Sequence, residues 1–158
     1  MGVQRLNHAV LYVSDVQRSV DFYRAALGME VVDDLGQAAF LRLPQGANHH
    51  DLGLFSSGPA PEERRRRGPG LYHLAWEVDS FDTLVERRAA LLEMGALVGE
   101  SDHGVSLSLY SQDPDGIEFE VMWTVPREAW GEFARQATTR RLDWADATRR
   151  GGTSGALA

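Results

Sequence analysis

Two stretches of this chain repeat one another, and that repeat restricts the fold more than any other feature. Residues 6–16 (LNHAVLYVSDV) and 71–81 (LYHLAWEVDSF) align at one constant offset, pairing Leu6 with Leu71, His8 with His73 and Val13 with Val78. A recurring segment of this kind marks a supersecondary unit that buries its apolar face against a neighbour. Each stretch runs into an amphipathic helical pattern. The first covers about residues 16–27, with Val16, Val20, Tyr23 and Leu27 on one stripe; the second covers about 81–94, with Phe81, Leu84, Val85, Leu91 and Met94. Ser14 and Asp15, and Asp79 and Ser80, are N-cap candidates, and Gly28 and Gly95 stand where helices close.

Three β-like pieces follow each helix: residues 29–33, 38–43 and 50–55 in the first half, and 96–100, 105–111 and 117–123 in the second. Turn signals, Leu43-Pro44-Gln45-Gly46 and Asp113-Pro114-Asp115-Gly116, separate them. Each half therefore reads β-α-β-β-β, which leaves one sheet face uncovered. The expected fold is α+β: two tandem βαβββ modules forming a curved, barrel-like mixed sheet with helices outside and a cavity inside. The modules span about 3–57 and 70–124, joined by a connector at 58–69. Residues 125–158 form a C-terminal extension in which 128–136 and 142–148 can be short helices and 151–158 reads as a disordered tail.

The composition narrows the chemistry. With 158 residues, 43% hydrophobic and 25% charged, the chain fits one domain or two small modules sharing a core. It has no cysteine, so any metal must sit on imidazole and carboxylate. The net charge is −7, which argues against a phosphate-tracking nucleic-acid binder. The basic run Arg64 to Arg67 reads as a solvated connector between Gly and Pro. The start shows no basic region followed by an apolar run. The expectation is therefore no membrane segment and a cytoplasmic location.

Strand parity places the chemistry. Side chains alternate across a strand, so His8, Val10 and Tyr12 oppose Ala9, Leu11 and Val13, while His73, Ala75 and Glu77 oppose Leu74, Trp76 and Val78. In the last strand Glu118, Glu120 and Met122 oppose Phe119, Val121 and Trp123. The apolar faces should pack on helices, and the faces bearing His8, His73 and a glutamate should line the cavity. Two histidines and a carboxylate suit Fe(II), and also Mn, Co, Ni or Zn. Parity does not separate Glu118 from Glu120. It sets His50 on the face of Leu52 and Leu54, which would wall it with apolar carbon, and turns His49 away.

These residues resemble the vicinal-oxygen-chelate superfamily, which includes glyoxalase I, bleomycin-resistance proteins, epimerases and type I extradiol dioxygenases. The likeness lies in residues 6–32, in GLYHLAWEVDS (70–80) and in DPDGIEFEVMW (113–123). It implies His8, His73 and Glu120 as metal ligands, since the family carboxylate falls four residues after the glycine of the DPDG turn. Three features resemble the extradiol enzymes more narrowly. They are Asn48-His49-His50-Asp51, implying His50 as acid–base residue; His103-Gly104-Val105-Ser106, implying His103 as a hydrogen-bond partner of substrate or oxygen; and Tyr110, three residues before the DPDG turn, implying an active-site tyrosine.

The resemblance thus implies an Fe(II)-dependent ring-cleaving dioxygenase acting on a catechol-type aromatic with O2. It further implies a homodimer, for which Trp130, Phe133 and Trp144 offer apolar contacts. The rival within the superfamily is a glyoxalase-like isomerase, epimerase or lyase, in which His50 would be a fourth ligand. A metal-free binding or resistance protein is a further alternative.

Overall fold

The computed structural model describes residues 2–58 and 69–151. The arginine run at 64–67 and the tail beyond residue 151 lie outside the described residues. The class is α+β, built from two βαβββ modules. The first comprises β1 (Ala9–Val13), α1 (Val16–Leu27), β2 (Glu30–Asp34), β3 (Ala38–Arg42) and β4 (Leu52–Ser56). The second comprises β5 (Leu74–Glu77), α2 (Phe81–Glu93), β6 (Leu97–Asp102), β7 (Ser106–Gln112) and β8 (Glu118–Thr124). A two-residue strand, β9 (Arg140–Arg141), and a helix, α3 (Trp144–Gly151), follow.

Strand order is β1-β4-β3-β2 in one sheet and β5-β8-β7-β6-β9 in the other. The two sheets share one plan: the first strand of each module pairs parallel with its last, and the other pairings are antiparallel. Even the irregularity repeats, with a register shift at Val31/Asp33 and another at Leu97/Gly99. By chain contacts there are two compact units, Met1–Pro69 with Asp113–Asp115, and Gly70–Gln112 with Gly116–Ala158. Among the described residues no helix is long and apolar enough to cross a membrane.

In the first unit Asp15 caps α1 by accepting from the Arg18 amide, and Gly28 ends the helix in the left-handed region at φ 71°. Ser14, the other cap candidate, is instead bound through its amide and hydroxyl to the Asp115 carboxylate. The core unites Val16, Val20 and Tyr23 of α1 with Leu11, Val13, Leu41, Leu52 and Leu54 of the sheet. Val10 and Tyr12 lie on the other face and are exposed, as alternation requires. Buried Tyr23 donates to Asp113 at 3.0 Å, which ties the DPDG turn to this unit.

In the second unit Ser80 caps α2 by accepting from Thr83. Phe81, Leu84 and Leu91 are buried with Phe119, Val121 and Trp123. The C-terminal segment packs here too. Residues 128–136 do not form the expected helix: two short 3-10 turns, Arg127–Ala129 and Gly131–Ala134, meet at Gly131, whose φ is 52°. Leu142 and Ala147 are buried, so α3 covers core instead of lying free.

Candidate active site

In the first unit His8 immediately precedes β1, and its ring lies 4.7 Å from that of His50, centre to centre. His50 also meets Phe40 edge-on at 5.0 Å. Burial lowers the His50 pKa below its ordinary value; the charges of His8 and His49 add to this and Asp51 opposes it. The ring is biased toward its neutral, proton-accepting form.

Two expectations about this segment are corrected. The last strand of the module begins at Leu52, not at residue 50. Asp51 turns inward, where its carboxylate accepts from the Leu43 amide and from Asn48 Nδ2, both at 2.7 Å. The chain bends there, so alternation does not extend back to His50. Leu52 and Leu54 are fully buried on the helix-facing side, and the apolar wall beside His50 is Phe40, which pairs across the ladder with Gly53. Nor does His49 point away, since its Nδ1 is 3.1 Å from that of His50.

A polar network that sequence reasoning missed stands behind His8. Arg5 donates to Asn48 Oδ1 at 2.7 Å, Asn7 Nδ2 donates to the same oxygen at 3.1 Å, and Asn7 Oδ1 lies 2.9 Å from His8 Nδ1. Asn48 Nδ2 donates back to the Asn7 carbonyl at 2.8 Å. A guanidinium can only donate, so Arg5 fixes the orientation of Asn48 and, through it, of Asn7. Asn7 then presents an acceptor, so the His8 proton resides on Nδ1 and Nε2 keeps its lone pair.

In the second unit His73 immediately precedes β5, as His8 precedes β1. Its Nε2 is 2.9 Å from Oε2 of Glu120 on β8. Glu120 is only 7% exposed, and the buried Nδ1 of His73 has no hydrogen-bond partner among the described residues. Glu118 stands two residues earlier, opposite Gln112, whereas Glu120 stands opposite Tyr110. Tyr110 packs its ring 5.7 Å from that of His73. Burial, then the Glu120 charge, push its phenol above the ordinary value, with Ser108 opposing. His103 completes the row, with Nε2 2.9 Å from the Tyr110 hydroxyl and Nδ1 3.0 Å from the Thr138 carbonyl.

The structure thus brings together His8 with His50, and His73 with Glu120, Tyr110 and His103. Among the described residues, no three His, Asp or Glu side chains are gathered in a metal-binding cluster. The donor atoms nevertheless suit a metal. His73 Nε2 and Glu120 Oε2, 2.9 Å apart, are near enough for both to reach one ion. Imidazole and carboxylate suit divalent iron, manganese, cobalt, nickel or zinc.

The chain belongs to the Glyoxalase/Bleomycin resistance protein/Dioxygenase superfamily, whose family model matches residues 5–121. It is 31% identical over 125 residues to the catechol-2,3-dioxygenase of Bacillus subtilis, covering 79% of this chain and 43% of that one. To a lactoylglutathione lyase of Escherichia coli it is 27% identical over 135 residues, covering 75% and 91% respectively. A solved glyoxalase/dioxygenase structure from Nostoc punctiforme shares the fold with a TM-score of 0.65 at 22% identity, over 77% of this chain and 91% of that one. The chain spans less than half the length of some dioxygenases it resembles, such as metapyrocatechase 2 of Cupriavidus necator at 42%.

Proposed function

We propose that this chain is an Fe(II)-dependent extradiol dioxygenase that opens a catechol-type ring with O2, using His8, His73 and Glu120 as metal ligands. One observation supports this reading over its rivals. Glu120 pairs with Ala75, two residues after His73, and the same register in the first module pairs Gly53 with Val10, two residues after His8. The pseudo-symmetric counterpart of the carboxylate ligand is therefore a glycine. Two imidazoles and one carboxylate would hold the ion with three protein ligands and leave it open to substrate, whereas a fourth protein ligand would close it.

When bound, the metal would orient both reactants and let electron density pass between them. The protein would move the protons. Neutral His50 would take a catechol proton at Nε2, the ring nitrogen not facing His49, and return it as the ring opens. His103, once protonated, would donate from Nε2 to the Tyr110 oxygen and so free the Tyr110 O–H to donate to charge developing on a substrate oxygen.

A second reading, a glyoxalase-like isomerase or lyase, is favoured by size, because this chain covers 91% of the lactoylglutathione lyase. Anaerobic Fe(II) reconstitution followed by a catechol panel separates the two. Oxygen-dependent formation of yellow ring-opened products is the expected result. Oxygen-independent turnover of a thiol adduct, with nickel or zinc bound, would replace it with the second reading.

Homodimer formation belongs to the same proposal. Trp130, Phe133 and Trp144 also engage Val125, Gly104 and Glu100 of their own unit and, half-buried, keep only part of their surface for a partner. Exposed Leu71 and Tyr72 are better placed to pair two chains, and light scattering at micromolar concentration decides the state.

A further inference from the structure

The loop that bears His103 is wrapped by the C-terminal extension. Asp102, 3% exposed, accepts from the Gly104 amide at 2.7 Å and from Arg140 Nε at 3.0 Å, and pairs also with Arg150. Strand β9 runs antiparallel to β6, with Arg140 opposite Asp102 and Arg141 opposite Ser101. Phe133 covers Gly104 so closely that a Cβ there would overlap its ring, and Gly104 already needs φ 77°. Arg140 lies over Phe133 at 5.2 Å. Just before β9, the Thr138 carbonyl and the Thr139 hydroxyl face His103 Nδ1 at 3.0 and 3.2 Å.

A carbonyl oxygen can only accept, so the closer contact, to Thr138, calls for a proton on Nδ1 whether the ring is neutral or charged, and the Thr139 hydroxyl can accept from it as well. The only nitrogen at which a proton can come and go is then Nε2, which faces Tyr110. We propose that the C-terminal extension is a positioning element of the active site: it anchors on Asp102 and confines proton exchange of His103 to the Nε2–Tyr110 side. The Thr138 carbonyl and Asp102 are its positioning groups and touch no reactant. The mechanistic value of this arrangement rests on the proposed dioxygenase reaction; the arrangement itself does not.

The test reads ring nitrogens directly. In long-range proton–nitrogen spectra of the full-length, nitrogen-15-labelled protein at mildly alkaline pH, His103 is expected to be a single Nδ1–H tautomer. In Asp102→Asn the extension loses its ion pairs, and the His103 signals should shift to the average of two tautomers. Arg150→Lys, which keeps a cation on Asp102, should retain the single tautomer. If Asp102→Asn does not fold, the Arg140→Gln, Arg150→Gln double variant takes its place with the same expectation. An Nε2–H tautomer in the parent protein, or an undisturbed Nδ1–H tautomer in the variants, overturns the proposal. Absence of catechol cleavage would remove the dioxygenase reading while leaving this spectroscopic result intact.

Discussion

The Nε2 atom of His73 lies 2.9 Å from Oε2 of Glu120, and Glu120 is also the direct cross-strand neighbour of Tyr110. No other carboxylate of β8 occupies that position, since Glu118 faces Gln112. Glu120→Ala is therefore expected to lose stoichiometric metal and Glu118→Ala to keep it, by metal analysis after reconstitution. Full retention in Glu120→Ala would move the ligand elsewhere.

Support behind His8 comes from Asn7 and Asn48. Loss of a group that orients a metal-binding histidine typically costs about 10–100-fold in metal affinity. Asn7→Ala removes the acceptor on His8 Nδ1, while Asn48 also bonds Asp51 at the bend before β4. Both variants should weaken Mn(II) binding within that range. Asn7→Ala, which leaves the bend intact, should do so without lowering the melting temperature. An unchanged dissociation constant in both would show that His8 needs no such support.

The sequence repeat made the βαβββ plan legible, because helix period, strand period and the histidine offset all agreed. Alternation separated Glu120 from the core residues Phe119 and Val121, but it placed Glu118 with it, and only the contact with His73 tells the two apart. It failed at His50, where a buried carboxylate, Asp51, takes two donors and bends the chain before the strand starts. Local polar satisfaction overrode the two-residue period there. The Thr138 carbonyl was not legible at all, because a backbone acceptor has no residue signature. The helix expected at 128–136 was interrupted by the left-handed Gly131.

Asp102 gives the fold a specific acid sensitivity. Burial alone would raise its pKa, but the Gly104 amide and the guanidiniums of Arg150 and Arg140 outweigh burial and hold it below the ordinary carboxylate value. As pH falls, the unfolded chain therefore takes up this proton first. The stability Asp102 contributes is complete above the unfolded value of about 4 and is lost as pH falls through the lower folded value. Asp102→Asn should be less stable than the parent at neutral pH, with the gap narrowing below about pH 4. Urea midpoints measured across pH test this, and a gap independent of pH would mean the ion pairs contribute nothing.

His50 packs its ring at a tilt against that of His8 without entering a ladder, and Phe40 closes its apolar side. A general acid–base residue typically contributes about 10²–10⁴-fold in rate. His50→Gln should lower kcat by that order and leave the iron content unchanged. Loss of iron instead would make His50 a fourth ligand and favour the isomerase reading.

Gly53 offers the sharpest separation of the two chemistries. It occupies the register position that Glu120 occupies in the second module. A Cβ built there would meet Val10, Phe40 and Phe55 at 3.4–3.6 Å, which is ordinary to slightly tight packing and no backbone collision. Gly53→Glu should therefore fold, and its carboxylate would stand where pseudo-symmetry calls for a second acidic ligand. Under the dioxygenase proposal the added carboxylate fills a position that O2 or a catechol oxygen needs. Metal should then be held at least as tightly while ring cleavage falls to background. Gly53→Ala, which adds a methyl group and no ligand, should keep both properties close to the parent values. Undiminished ring cleavage in Gly53→Glu, with metal bound, would show that the open position lies elsewhere and would withdraw the symmetry argument for this activity.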